Sequence, residues 1–119
     1  MTPGGIPLAE IPDEWRQIVL RILRRAAKDQ IIVRLQAQTD WAMTFPDATN
    51  YDRFDAMADA LENDEIVGRR IEGMREPGDV YAFWFYFGNR QLYGKINLFP
   101  SRDRILIYSS HIPYKGEDL

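Results

Sequence analysis

The sequence predicts an α+β fold in which two helices pack on one face of an antiparallel sheet of about four or five strands. Three features predict it: a helical apolar stripe near the start, a second stripe in the middle, and strand-like segments separated by turn signals in the second half. The length of 119 residues suits a single domain. We therefore take residues 1–119 as one domain, in which residues 1–10 form an irregular leader.

The first helix is predicted to begin near Pro12, because proline suits the first turn and the acids that follow it favour the positive end of the helix dipole. Apolar residues then recur at helical spacing: Trp15, Ile18, Val19, Ile22, Leu23 and Ala26. The other side of this segment is rich in arginine. The pattern predicts an amphipathic helix with one buried face.

A strand is predicted for residues 31–38, because apolar and polar side chains alternate there. Residues 41–50, which contain a proline followed by an aspartate, are predicted to form a loop. Either Thr49 or Asn50 is then expected to cap a second helix, whose outer face is acidic.

The remainder of the chain is predicted to form an antiparallel meander of four strands, which span residues 66–74, 80–87, 92–99 and 104–110. Turn-forming residues separate these segments, with Glu76-Pro77-Gly78-Asp79 as the strongest signal. The predicted order of elements is therefore α-β-α-β-β-β-β.

The composition excludes several kinds of site. The chain has no cysteine and one histidine, which excludes disulfides, thiolate metal sites and multi-histidine metal sites, so we expect neither a metal nor a cofactor. No apolar run reaches the ~20 residues that span a bilayer. We therefore expect no membrane association and a cytoplasmic location. The net charge of −3 disfavours a general nucleic-acid binder, although most of the cations are arginines, which suit phosphate.

Alternation along the last two strands predicts a shared polar face: Tyr93, Lys95, Asn97, Arg104, Tyr108 and either Ser109 or Ser110, with His111 at the strand end. Such a face can cleave RNA without a metal, because a cation stabilises charge on the phosphate while histidine or tyrosine moves protons. The predicted catalytic residues are Lys95, Arg104, Tyr108 and His111. The predicted RNA-binding residues are Arg69, Arg70, Tyr93, Ser109 and Lys115.

Two similarities involve the same strands. Leu92-Tyr93-Gly94-Lys95-Ile96, followed by Ile105-Leu106-Ile107-Tyr108-Ser109-Ser110-His111, resembles the closing strands of RelE- and MqsR-type toxins. Those families place helices first and a basic-lined antiparallel sheet after them. Asp103-Arg104-Ile105-Leu106, with Tyr108-Ser109-Ser110 and Tyr114-Lys115, resembles the late strands of barnase apart from the extra Ile107. The two resemblances together cover a quarter of the chain and point to the same group of small ribonucleases.

The toxin resemblance implies that Lys95 stabilises charge and that His111 or Tyr108 carries protons. The barnase resemblance implies that Arg104 binds phosphate. There are two departures from barnase. Its catalytic histidine comes well after the matching segment, whereas no histidine follows His111 here. Its glutamate base has no matching motif in this sequence, where Glu72 is named for that role without one. The implied partners are RNA, with mRNA on the ribosome as one candidate, and a cognate antitoxin or inhibitor protein that covers the sheet.

Two other functions fit the sequence. A non-catalytic interaction module, such as an inhibitor, an immunity-type protein or a phage-encoded accessory protein, would work through the acidic second helix or the basic first helix. The net charge of −3 favours this alternative over a nuclease. A small-ligand binding domain would instead line a pocket with the aromatic strand at residues 80–87.

Overall fold

The structure is a computed structural model that describes residues 6–119, and it confirms the α+β class. Its strands are Ala9–Glu10 (β1), Ile31–Val33 (β2), Val67–Ile71 (β3), Asp79–Phe87 (β4), Arg90–Leu98 (β5) and Ile105–His111 (β6). Its helices are Asp13–Arg25 (α1), Leu35–Thr44 (α2) and Asn50–Leu61 (α3). Within the described residues the sheet has six strands in the order β1-β3-β4-β5-β6-β2, more than the four or five predicted.

The sheet is mixed rather than purely antiparallel, because β2 pairs in parallel with β6 while the other neighbouring strands are antiparallel. The predicted irregular leader is also corrected in part: β1 pairs with β3, and residues 1–5 lie outside the described residues. The added strand β1 and the predicted strand β2 both lie at the edges of the sheet, where short strands pair with segments far away in sequence. The predicted four-stranded meander forms the centre of the sheet.

Helix α1 confirms the predicted amphipathic helix and is tied to the rest of the fold through its buried face. The indole nitrogen of Trp15 donates a hydrogen bond to the carbonyl oxygen of Asp79 at 2.9 Å. Buried Arg16 donates to the carbonyl oxygen of Leu61 at 2.7 Å. Leu61 is the last residue of α3, and a cation there complements the negative end of the helix dipole. The first and third helices are therefore joined at their ends.

The strand predicted for residues 31–38 is wrong beyond Val33, because the chain turns into helix α2 at Leu35. The backbone N–H of Arg34 donates to the carbonyl oxygen of Ile107 at 3.0 Å and ends the pairing with β6. The predicted loop at residues 41–50 is likewise helical as far as Thr44. The alternating pattern implied that Leu35 lies on the buried face of a strand. Leu35 instead begins helix α2 and is 74% exposed.

Helix α3 begins as the sequence predicted, with Thr49 as its N-cap. The Thr49 hydroxyl accepts from the Asp52 N–H at 3.2 Å, and the Asp52 carboxylate accepts from the Thr49 N–H at 2.8 Å. This reciprocal capping box satisfies two N–H groups that the first turn of a helix leaves without a partner. Glu62 and the acids of α3 also pair with Arg24 of α1, so part of the acidic face is neutralised within the molecule.

The hairpin between β4 and β5 turns at Gly88 and Asn89, whose φ angles are 58° and 61°. Two left-handed residues in succession match the twist of a two-residue hairpin, and glycine and asparagine tolerate that conformation best. The tight turn fixes the register of β4 against β5 over their whole length, from Asp79 opposite Leu98 to Phe87 opposite Arg90.

All three helices pack on one face of the sheet, which we call the helix-covered face. Its central side chains from the sheet are Phe83, Phe85, Leu92, Ile96, Leu98, Ile105 and Ile107. The opposite surface carries Val80, Ala82, Trp84 and Tyr86 of β4, and we call it the helix-free face, because its two apolar clusters contain no helix residue. Within residues 6–119, no helix combines the length and apolar character needed to cross a membrane.

Candidate functional site

Two rows of side chains cross the helix-free face and bring most of the predicted site residues together. One row runs through Arg69, Ala82, Lys95 and Ser109 on β3, β4, β5 and β6. The next row runs through Trp84, Tyr93 and His111. Lys95 therefore has Ser109 directly opposite it, and His111 is a diagonal neighbour at about 7–8 Å between Cα atoms.

A bulge in β6 determines which serine faces Lys95. Lys95 pairs with Ser109 while Ile96 pairs with Ile107, so Tyr108 has no partner on β5. The extra residue reverses the alternation and brings Ser109 to the helix-free face beside Tyr108. The sequence left Ser109 and Ser110 as alternatives for this face, and the bulge selects Ser109. Ser110 takes the helix-covered side, where its hydroxyl accepts a hydrogen bond from buried Arg53 at 3.3 Å.

Tyr108 lies between two cations, Arg34 and Lys95, which we call the cation pair. The guanidinium carbon of Arg34 lies 5.0 Å from the centroid of the Tyr108 ring, and the Lys95 ammonium lies 5.7 Å from it. The Tyr108 hydroxyl donates to Glu76 at 2.8 Å and accepts from the Asn97 amide at 3.2 Å. Glu76 also accepts from Arg34 at 2.7 Å. The phenol is thus fixed in position with positive charge beside its ring.

The two cations differ in their partners. Arg34 forms an ion pair with Glu76, whereas Lys95 forms none with any carboxylate among residues 6–119. Burial lowers the pKa of Lys95, with the charge of Arg34 acting in the same direction and that of Glu117 opposing it. A half-buried ammonium without a paired carboxylate is an attractive position for an external anion, because binding would restore its missing counter-charge.

The hydrogen bonds at Tyr108 shift the pKa values of both partners. Burial raises the pKa of Tyr108, and the neighbouring Glu76 raises it further. The hydrogen bond from Tyr108 is the largest of the causes that lower the pKa of Glu76. At neutral pH the pair therefore consists of a protonated phenol and an ionised carboxylate, so the hydroxyl can donate a proton but is a poor base.

His111 is buried between two aromatic rings. It stacks on Tyr93, with ring centroids 5.6 Å apart, and on Tyr114 at 4.2 Å. Its Nε2 lies 2.9 Å from Glu117, and its Nδ1 lies 3.7 Å from Asp40. Both ring nitrogens therefore face carboxylates, an arrangement in which a carboxylate can orient the imidazole.

The segment after β6, residues 112–119, folds back over the helix-free face, and we call it the tail. Its Leu119 packs beside Ala82 and Tyr93. Arg69 donates hydrogen bonds to the carbonyl oxygens of Leu119 and Ile6. The tail therefore fills the space over Ala82, between Arg69 and Lys95, and it holds Glu117 against the histidine.

Three of the predicted residues lie away from this cluster. Arg104 precedes β6, and its guanidinium carbon lies 5.8 Å from the ring centroid of Phe99. Phe99 is four residues from Lys95, which is ~13 Å along an extended chain. Arg70 pairs with Glu72 at the sheet margin, which also removes Glu72 from the cluster. Lys115 is exposed on the tail. The structure thus gathers Tyr93, Lys95, Tyr108, Ser109 and His111, with Arg69 at the far end of the Lys95 row, but not Arg70, Arg104 or Lys115.

Sequence reasoning missed four charged residues that complete this site. Arg34 belonged to the strand predicted for residues 31–38, and Glu76 to a turn of the meander, yet both reach the Tyr108 site. Asp40 and Glu117, which flank His111, come from a helix that was not predicted and from the tail. The only sequence signal for any of these four residues was the acidic side chain of Glu76 at the start of a turn. The preference of turns for polar residues already explained that side chain, so it did not indicate a site.

Behind the site, Arg53 of α3 is fully buried on the helix-covered side. It donates to the Ala37 carbonyl oxygen at 3.3 Å, to Ser110 and to Asn50, all of them neutral acceptors. Burial lowers its pKa to about 10. Because Ser110 precedes His111 and Ala37 lies in α2, this single side chain ties two helices to the end of β6.

The site offers a cation pair, a protonated phenol and a histidine held by carboxylates. Among residues 6–119, no group of three or more histidine and carboxylate side chains is arranged to hold a metal ion. Comparisons with known protein families, with curated proteins and with solved structures found no match to this chain. Any function must therefore be argued from the geometry of this cluster.

Proposed function

We propose that the chain is a metal-independent endoribonuclease, the toxin of a toxin–antitoxin pair, acting on RNA in the cytoplasm. The observation that carries the proposal is the convergence of Lys95, Tyr108, Ser109 and His111 on one helix-free surface. Lys95 lacks a carboxylate partner there, so the surface provides a site for a phosphate. Histidine and tyrosine beside that site are the groups that metal-free RNA cleavage requires.

In this proposal, the scissile phosphate binds at the cation pair over Tyr108. The 2′-oxygen bonds to phosphorus, and its proton passes to Nε2 of His111. The bond from phosphorus to the 5′-oxygen breaks, and that oxygen takes the proton of the Tyr108 hydroxyl. The products are a 2′,3′-cyclic phosphate and a free 5′-hydroxyl, and solvent returns the protons. Lys95 and Arg34 stabilise the charge that builds up on the phosphate oxygens.

The tail sets a condition on this mechanism. Nε2 of His111 accepts a proton only when Glu117 has moved off it, while Asp40 can keep Nδ1 oriented from the other side. The arrangement then matches the general pairing of a base with a carboxylate that orients it. The proposal thus requires the tail to withdraw when RNA binds.

The test is cleavage of a labelled single-stranded RNA by purified variants. Lys95→Ala should lose about 10²–10³-fold in rate, as expected for removal of one group that stabilises the transition state. His111→Ala should lose about 10²–10⁴-fold. Lys28→Ala, which removes an exposed lysine beside α1, is the matched control and should cleave like the wild type.

Because His111 is buried, thermal unfolding must show that the His111→Ala variant is folded. Lys95 is only half-buried, so Lys95→Ala tests the proposal even if His111→Ala does not fold. Glu117→Ala should keep or increase the rate, since it frees Nε2. Full activity in both Lys95→Ala and His111→Ala would end the nuclease proposal. The remaining candidate would then be a non-catalytic protein-binding module, which the enclosure of His111 by the tail and the net charge of −3 favour.

A further inference from the structure

We infer that Trp84 and Tyr86 form a nucleobase-stacking subsite for single-stranded RNA beside the cation pair. The inference rests on the proposed function, because it assumes that RNA is the ligand of the helix-free face. It adds a contact that acts on the bases rather than on the phosphate. Neither ring is needed for the chemistry of cleavage, so the subsite can be tested by binding alone.

The position of the two rings on β4 is the first argument. Odd-numbered residues of this strand enter the core of the helix-covered face, and both Phe83 and Phe85 are fully buried there. The even-numbered residues point the other way, where Trp84 is half-buried and Tyr86 is 61% exposed. Tyr86 lies near the hairpin end of β4, opposite Gln91, where its exposed ring gains little stability from packing and is accessible to a ligand together with Trp84.

The distance from the cation pair is the second argument. Ala82 is directly opposite Lys95, and Trp84 and Tyr86 follow two and four residues along the same strand. At the rise of an extended strand they lie ~7 and ~13 Å beyond that row. A strand of RNA with one phosphate at Lys95 would therefore pass its neighbouring bases over these rings, as proteins that bind single strands arrange their aromatic residues.

Charge is the third argument, and it favours RNA over an acidic or neutral partner. Between Val80 and Leu98, strands β4 and β5 contain no acidic residue, and Lys95 is their cation on the helix-free face, since Arg90 pairs with Phe87 and belongs to the other side. The hairpin also presents Gln91, whose amide donates to the Tyr86 hydroxyl at 3.3 Å and could hydrogen-bond the edge of a base. A pair of strands with a cation, aromatic rings and an amide is complementary to a single-stranded nucleic acid. The acids on this face, Glu76 and Glu117, come from a turn and from the tail, and the proposed function already requires the tail to withdraw.

The fluorescence of Trp84 provides a signal for binding at this subsite. Of the three tryptophans, Trp15 and Trp41 are buried at 2% and 3% exposure, so Trp84 is the one that a ligand on the helix-free face can reach. Intrinsic fluorescence should therefore fall when a base stacks on it. The probe is a 12-nucleotide single strand of deoxyadenosine, which lacks the 2′-hydroxyl and cannot be cleaved by the proposed route. An abasic strand of the same length carries the same phosphates without the bases.

We expect the deoxyadenosine strand to quench the fluorescence and the abasic strand to bind at least fivefold more weakly, since one stacked base contributes about 1–3 kcal/mol. Tyr86→Ala and Trp84→Ala should each weaken binding about five- to hundredfold, measured for both by fluorescence anisotropy of a labelled strand. Tyr51→Ala is the matched control, because Tyr51 is 56% exposed on α3 and should leave binding unchanged.

The outcomes separate this inference from the nuclease proposal. Equal binding of the abasic strand, or unchanged binding in both Trp84→Ala and Tyr86→Ala, would overturn the subsite and leave these rings as a surface for a protein partner. Lys95→Ala would still weaken binding in that case if the phosphate site is correct. Weakened binding in the ring variants of a protein that cuts no RNA would instead support the subsite and reject the nuclease.

Discussion

The helix-covered face and the helix-free face are built from alternate residues of the same strands, yet they differ in what stabilises them. On the first, Phe83 and Phe85 are fully buried among apolar side chains of the three helices. On the second, Lys95 and Tyr108 contact each other through a cation–π interaction and a ring of polar partners. The difference teaches that one face carries most of the apolar burial, whereas the other combines two smaller apolar clusters with charged and polar side chains.

The most direct way to break this comparison is to truncate neighbouring residues that point to opposite faces. Phe85→Ala should cost about 3–5 kcal/mol in the free energy of unfolding, because it leaves a cavity in a closely packed core. Tyr86→Ala should change it by about 0.5 kcal/mol or less, since the side chain is mostly exposed. Urea unfolding of both variants measures the difference, and similar losses would mean that the helix-free face also stabilises the fold.

Arg53 is the polar exception on the helix-covered side, and its replacement sharpens the comparison. Arg53→Ala should cost about 2–4 kcal/mol, because it opens a cavity and leaves Ser110, Asn50 and the Ala37 carbonyl without their donor. Arg53→Met keeps most of the volume and removes a charge that burial disfavours, so it should cost much less. Equal losses in the two variants would show that the hydrogen bonds outweigh the packing.

The smallest expected effect concerns Tyr108 on the helix-free face. Tyr108→Phe removes the hydroxyl between Asn97 and Glu76 and should cost about 0.5–1.5 kcal/mol at pH 7. Because the folded pKa of Glu76 is below its ordinary 4.5, its contribution is complete above that pH and is lost as the pH falls through the lowered value. The variant should therefore lose less stability than the wild type between pH 5 and pH 2.

Urea unfolding across this pH range is the measurement. Tyr86→Phe is the control, because its exposed hydroxyl contacts Gln91 and no carboxylate among the described residues. An unchanged pH dependence in Tyr108→Phe would show that the hydrogen bond to Glu76 does not determine the pKa of that carboxyl.

The sequence predicts those parts of the fold that local signals determine. The stripe of α1, the Thr49 cap and the turns of the meander each depend on residues close together in the chain, and the structure confirms them. A strand was predicted at residues 31–38, but helix α2 and the parallel pairing of β2 were not, because the pairing of Ile31 with Ile105 joins segments more than 70 residues apart. An alternating apolar pattern cannot report such a distant partner.

The candidate site was predicted in part for the same reason. Tyr93 and Lys95 share a face through simple alternation, which is a local property of one strand. The position of Ser109 depends on a bulge, which an extra residue produces without any mark in composition. Arg34 and Glu76 come from separate connections, and only the tertiary fold brings them to Tyr108.

The edges of the sheet have a consequence for assembly. The outermost strands, β1 and β2, are two and three residues long, so each presents few unpaired backbone groups along which another chain could add. Long, flat, open edges are where β-proteins polymerise, and short ones resist it. This chain should therefore tolerate high concentrations without edge-to-edge fibre growth, even with its richly aromatic central strand.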